Sequence, residues 1–236
     1  MEISLEYIIE GIRSALIYFP NTLRLVFTAL LVGIIIGTLF ALARFYKVPV
    51  IGKLIAVFVT IYQGIPIVVA LLIYHLLFIN YLGGFLSFWH ISKEVSEVNT
   101  IYIGIFALSL SEICGASEVI RGALQSIDKG QEEAGFSVGL TGLQVIKRIV
   151  LPQIIPVAIP PLTNSVIGLI KASSIVSVVG IVEVTQGALL PSALTYSYFE
   201  GYLAAAAVYW IFSVFVELFM KALSSRAGRY RKAIEV

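Results

Sequence analysis

Three stretches of the chain, residues 25–43, 54–79 and 202–216, contain no Asp, Glu, Lys or Arg. Each is long enough, or nearly so, for the roughly 20 residues that cross a hydrocarbon core of about 30 Å. Such runs leave few options, because backbone amides in lipid must bond within their own helix or within a closed barrel. A barrel would show alternating segments of about ten residues, whereas these runs are continuously apolar. Two further spans, 98–121 and 149–182, are apolar but carry ionisable or helix-breaking residues. With 59% hydrophobic and 13% charged residues over 236 positions, the chain is too apolar for a soluble domain. It reads as an all-α integral membrane protein with about five transmembrane helices in a single domain, 1–236.

Charge orders the connections. Arg44, Lys47 and Lys53 follow the first span; Arg121, Lys129, Lys147 and Arg148 separate the third from the fourth; Lys221, Arg226, Arg229, Arg231 and Lys232 follow the fifth. The other connections hold mainly acids: Glu2, Glu6 and Glu10, then Glu94 and Glu97 with Lys93, then Glu183 and Glu200. Basic loops stay in the cytoplasm, so the N-terminus is expected outside and the C-terminus inside. Residues 1–20 begin with acids, and Leu5, Ile8, Ile9, Ile12 and Leu16 follow helical spacing. This predicts an uncleaved amphipathic helix on the outer surface. Cys114 is the single cysteine, so no intrachain disulfide can form, and a buried thiol is expected. No G-x-x-x-x-G-K-[ST] loop occurs, so nucleotide chemistry would belong to a partner. No cofactor in this chain and no nucleic-acid partner are expected.

The segment 130–152 carries the most specific pattern. Glu133-Ala134-Gly135 is followed after three residues by Gly139 and, after nine more, by Ile149-x-Leu151-Pro152. A short helix bearing Glu132 and Glu133, closed by a glycine that allows a sharp turn, can project from a membrane and meet basic groups of a soluble partner. The pattern resembles the EAA loop of ABC importer permeases, with glycine for the second alanine. The resemblance spans most of the chain and narrows to the polar amino acid permeases. It is carried by Ala41-Leu42-Ala43-Arg44, Gln63-Gly64-Ile65-Pro66-Ile67, Ser117-Glu118-Val119-Ile120-Arg121-Gly122, Val150-Leu151-Pro152-Gln153, Ile159-Pro160-Pro161-Leu162-Thr163-Asn164 and Ile170-Lys171-Ala172-Ser173-Ser174-Ile175.

The resemblance implies a permease dimer, with a second copy or a homologous permease, in a bacterial inner membrane. It further implies ATPase subunits that bind ATP beneath, an extracytoplasmic substrate-binding protein above, and an amino acid substrate moved by alternating access. Glu132, Glu133, Ala134, Gly135 and Gly139 would couple to the ATPase. Gln63, Gly64, Pro66, Glu112, Pro160, Pro161, Asn164, Lys171, Ala172, Ser173 and Ser174 would line or shape the pathway.

Physical reasons support part of this set. Pro66 beside Gly64 should bend the second span, and Pro156, Pro160 and Pro161 should break up the fourth. Glu112 and Lys171 are intramembrane charges costing about 2.5–3.5 kcal/mol each. Lys171 would either pair with Glu112 or face a substrate carboxylate. Glu118 and Arg121, three apart, would form a local ion pair. The family often has arginine at Gln63 and aspartate at Ala172. Their absence implies a less common polar amino acid, or a subunit whose partner holds the ligand; the chain also resembles cystine-type permeases, for example through Arg44-Phe45-Tyr46-Lys47-Val48-Pro49-Val50, which puts the cystine class first. An ion-gradient transporter is the rival reading; it predicts buried acid pairs and an inverted repeat, neither visible in the sequence.

Overall fold

In the computed structural model, which describes residues 3–90 and 98–232, the chain is helical and no strand occurs among the described residues. The order is α1 (Leu5–Phe45), α2 (Ile51–Gln63), α3 (Ile67–Phe88), α4 (Ile101–Gln125), α5 (Lys129–Ser137) and α6 (Gly142–Val145). A π turn, Ile146–Val150, leads into α7 (Leu151–Ala172), and a 3₁₀ segment, Ser173–Val179, leads out of it. Then come α8 (Val184–Leu189), α9 (Ser192–Thr195) and α10 (Tyr198–Lys232). Five stretches are long and apolar enough to span a bilayer: α1, α3, α4, the run Gly142–Val179, and Tyr198–Leu223. The expected all-α fold with about five spans is what the structure shows.

The pairing of α1 with α4 organises the bundle. Ala29, Gly33, Gly37 and Ala41 recur every fourth residue on the buried face of α1, so they form one stripe. A Cβ at Gly33 would lie 2.3 Å from Glu112 Cγ, and one at Gly37 would lie 2.9 Å from both Ala116 Cβ and the Ile113 carbonyl oxygen. The backbones therefore approach too closely for any side chain. In lipid there is no hydrophobic drive between helices, and close packing of small residues supplies the association instead.

Three elements differ from expectation. Residues 1–20 do not form a separate surface helix; from Leu5 they run without interruption through Pro20 into the first span, as one helix of 41 residues. Residues 1–2 lie outside the described residues. One face of this extension is covered by protein: a Cβ at Gly11 would meet Ala204 Cβ at 2.9 Å, and Ala15 packs with Val184, Ala188 and Ala204. Only the opposite face, with Leu5, Ile9, Leu16 and Ile17, is exposed.

The second span is broken at its proline, not merely bent. Pro66 has ψ 133° and caps α3, as an extended proline that cannot continue α2 must. The fourth span shows the reverse. Pro156, Pro160 and Pro161 sit inside one continuous α7, and the irregular turns lie at its ends. Pro152 falls in the first turn, where no donor is required. Pro156 and Pro160 then follow at intervals of four, so the carbonyls they leave unpaired share one side of the helix.

The α1–α4 contact yields a direct test. Gly37→Val should destabilise the purified protein by about 1–3 kcal/mol through overpacking, seen as earlier thermal unfolding in detergent. Gly84→Val, at a glycine with open space around it, should cost less, and equal losses at the two positions would show that the close approach does not matter.

Candidate coupling and pathway sites

The loop 128–152 is built from local signals. Asp128 caps α5 by accepting from the Gly130 amide at 2.8 Å. Gly139, at φ +81°, ends the turn in a conformation that favours glycine. The Gln144 side chain accepts from the Thr141 amide at 2.9 Å and starts α6. Gly135 stands where the motif has alanine. A Cβ there would fall 2.7 Å from Ile149 Cδ1 and 3.0 Å from Val145 Cγ2, so the departure is matched by bulk on the facing turn.

The two glutamates diverge in exposure. Glu133 is exposed, with Ala134, Phe136, Val138 and Leu143 also open, which gives the loop an acidic and apolar outer surface. Glu132 is half-buried. Both acids contribute to a cavity of about 530 Å³ whose other walls include Arg44, Tyr46, Lys47 and Arg121. Burial, reinforced by the negative charge of Glu132, pushes the Tyr46 hydroxyl above its ordinary pKa.

The expected Glu118–Arg121 pair is present at 2.6 Å, and Arg44 joins it from the end of α1, also at 2.6 Å. Arg44 is the more enclosed arginine, its side chain 11% exposed against 29% for Arg121. One carboxylate thus holds two cations and ties α1 to α4 near the loop. Sequence reasoning missed Arg44 because the contact joins residues 74 positions apart.

Of the two alternatives for Lys171, the pairing with Glu112 does not form. Both Glu112 oxygens accept from Ser165 Oγ, at 2.9 and 3.1 Å, in a buried position. Lys171 is exposed and makes no ion pair with a described residue. Six residues separate Ser165 from Lys171 on α7, a rotation of about 240°, so the helix face that meets Glu112 turns Lys171 away.

Pro160 and Asn164 line a cavity of about 350 Å³ with Thr163, Ile167, Glu217 and Lys221. Glu217 and Lys221 are paired there at 2.6 Å. Gln63, Gly64, Pro66 and Pro161 are exposed, Ala172 is half-buried, and Ser173 and Ser174 donate to the Ile170 and Lys171 carbonyls. The structure therefore gathers Pro160 and Asn164 at one cavity and leaves Lys171 and Gln63 without a side-chain partner among the described residues.

Sequence reasoning also missed Glu183, which reads as a loop charge but is fully buried. Its Oε1 accepts from the Thr185 and Gln186 amides and caps α8, while Oε2 accepts from the Tyr209 hydroxyl of α10. The available signal was an acid immediately before a short helical run.

Comparison with known proteins shows the family. Residues 29–229 match the family described as "Binding-protein-dependent transport system inner membrane component". The chain is 35% identical over 224 residues to the probable amino-acid permease protein YxeN of Bacillus subtilis, covering 93% of this chain and 95% of that protein. It is 33% identical over 218 residues to the L-cystine transport system permease protein TcyL of the same species, covering 92% and 88%. Among solved structures it resembles an amino acid ABC transporter crystallised with histidines, with TM-score 0.77 and 26% identity over 96% of this chain and 100% of that one.

The two-arginine cluster predicts an order of effects. Arg44→Ala should cost about 2 kcal/mol and Arg121→Ala about 1 kcal/mol, because the more enclosed partner leaves Glu118 less able to recruit water. Thermal unfolding of the two variants in detergent measures this, and the reverse order would refute it.

Proposed function

Because the chain belongs to the family of inner-membrane components of binding-protein-dependent transport systems, we propose that it is the membrane-spanning subunit of an ATP-driven amino acid importer. The observation that carries this reading is the 128–152 loop. Its exposed surface combines Glu133, Ala134 and Phe136 on a helix of nine residues with Val138 and Leu143 just beyond it. A helix this short is marginal alone, and its open face suits a groove on a soluble partner.

In this reading the chain carries no catalytic group and binds no ATP. Partner ATPase subunits bind the nucleotide, a second permease completes the pathway, and a binding protein delivers substrate from outside. In this reading the loop and the C-terminal end of α10 are cytoplasmic, which the basic residues flanking the spans support. Closure of the ATPase pair would displace α5. Through the π turn, α7 would follow, and the pathway would open alternately to the two sides. Polar amino acids are the substrate class, with L-cystine first, supported by the relative TcyL and by the absence of charge at Gln63 and Ala172.

Two measurements test this reading. Glu133→Lys should reduce ATP-dependent uptake of radiolabelled L-cystine into vesicles more than tenfold, about 1.4 kcal/mol or more of lost coupling, while the chain still inserts. Unchanged uptake would remove α5 from the ATPase contact, and uptake by the unaltered chain without ATP would remove the importer reading. In a Cys114→Ser background, cysteine at Leu194, which is 88% exposed, should react with an impermeant thiol reagent from outside intact cells. Cysteine at Ser225 should react only after permeabilisation. Labelling of the Ser225 position in intact cells would invert or break the topology.

A further inference from the structure

α7 carries Pro160, Asn164 and Lys171 and differs from the other long helices in how it is joined at each end. At its start the π turn Ile146–Val150 links it to α6 and α5. At its end the 3₁₀ segment Ser173–Val179 runs for seven residues, about twice the usual length, and long 3₁₀ stretches are one place where helices hinge. Ser173, Ser174 and Ser177 each donate to the carbonyl three residues back, bonds that a rotation of the segment about its own axis preserves. Gly180, at φ +76°, closes it.

Beyond Gly180 the character changes within three residues. Asn21 Nδ2 donates to the Val182 carbonyl at 2.8 Å, Thr22 Oγ1 accepts from the Val184 amide at 3.2 Å, and Ser14 Oγ donates to the Gly187 carbonyl at 2.6 Å. A Cβ at Gly187 would lie 2.8 Å from the Tyr18 ring. Glu183 is the centre of this fastening: it caps α8 with one oxygen and takes the Tyr209 hydroxyl with the other, fully out of contact with solvent. The 182–190 segment is thereby tied to α1 on one side and α10 on the other.

We propose that Glu183 is a positioning residue for transport: it fixes the 182–190 segment to α10, beside the bonds that Ser14, Asn21 and Thr22 make to that segment from α1, so that displacement of α5 turns α7 about the 3₁₀ joint instead of dragging the far connection along. This rests on the importer reading. A compliant joint transmits a useful rotation only against a fixed end, and a buried carboxylate with three donors from two elements supplies one. Removing it would let the stroke dissipate in the 182–190 segment, so ATP would be hydrolysed without moving substrate.

Hydrogen–deuterium exchange on the assembled permease–ATPase complex in nanodiscs, nucleotide-free and vanadate-trapped with ATP, tests this without any substrate. Amides 174–180 should change exchange rate on trapping, and amides 184–190 should stay protected in both states. A complex that retains nucleotide but changes 184–190 as much as 174–180, or changes neither, overturns the inference alone. A preparation that retains no nucleotide sinks the importer reading and this inference with it.

Variants add a functional readout. Glu183→Leu, close in volume, should lower L-cystine uptake about tenfold while ATP hydrolysis stays within about twofold, since the lost cap and hydrogen bond act on position only. Glu183→Gln keeps an acceptor for the α8 amides and should restore most uptake. Equal uptake by the Leu and Gln variants would overturn the proposal. Should Glu183→Leu fail to assemble, Tyr209→Phe removes only the donor on α10 and should raise exchange at 184–190; undiminished protection there would overturn it equally.

Discussion

The close approach of α1 and α4 is the contact on which the remaining geometry depends. With Gly33 and Gly37 facing Glu112, Ile113 and Ala116, the two backbones set a fixed spacing that no rotamer change can relax. That spacing puts Arg44, at the end of α1, within reach of Glu118 on α4, and it presents Glu112 to Ser165 on α7. A wider α1–α4 separation would leave both acids in an apolar medium with fewer partners, where an unmet charge costs far more than the weak attraction that packing alone provides. Small residues therefore do two things here: they associate the helices and they bring buried polar groups to their donors.

The buried acids show how differently that requirement can be met. Glu118 is neutralised by two guanidinium groups, an arrangement that holds charge at a partly exposed site. Glu183 has no cation near it in the hydrogen-bond pattern; two backbone amides at a helix start and one phenol hydroxyl do the work. Burial raises its carboxyl pKa while those three donors oppose the rise, so removing any of them favours the protonated form. Glu200, also buried, lies in the first turn of α10 and accepts from the Ser4 amide at 3.4 Å, where the helix dipole favours an anion. Glu112 has a single hydroxyl.

The sequence disclosed the spans and the 128–152 loop because both depend on local order: unbroken apolar runs, a capping aspartate, a glycine at positive φ, and motif spacing within about 20 residues. It failed where the deciding partner was distant in the chain. Charge alone allows Lys171 a pairing with Glu112, but helical phase relative to Ser165 puts it on another face of α7. The 1–20 segment was read as an interfacial helix from its acids and its apolar spacing. What makes it part of α1 is the surface of α8 and α10 that covers Gly11 and Ala15, and nothing near residue 11 announces that surface. Glu183 escaped for the same reason, since its burial is made by Tyr209 and by α1.

The prolines illustrate the remaining gap most sharply, because one rule led to two opposite outcomes. At Pro66 the chain is exposed and extended, so the helix is interrupted between Gln63 and Ile67. In α7 the missing amides are spaced so that their unpaired carbonyls fall on one side, while Ile154, Ala158 and Val166 are buried on other sides and pin the axis. Proline also narrows φ, so a chain that accommodates several of them has fewer unfolded conformations to lose on folding. α7 is continuous where its composition suggested breaks. Its irregular hydrogen bonding lies in the π and 3₁₀ turns, whose sequences, IKRIV and SSIVSVV, contain neither proline nor glycine. Irregularity in this helix follows from how hydrogen bonds are redirected at its ends, and breaker residues within the span are a poor guide to it.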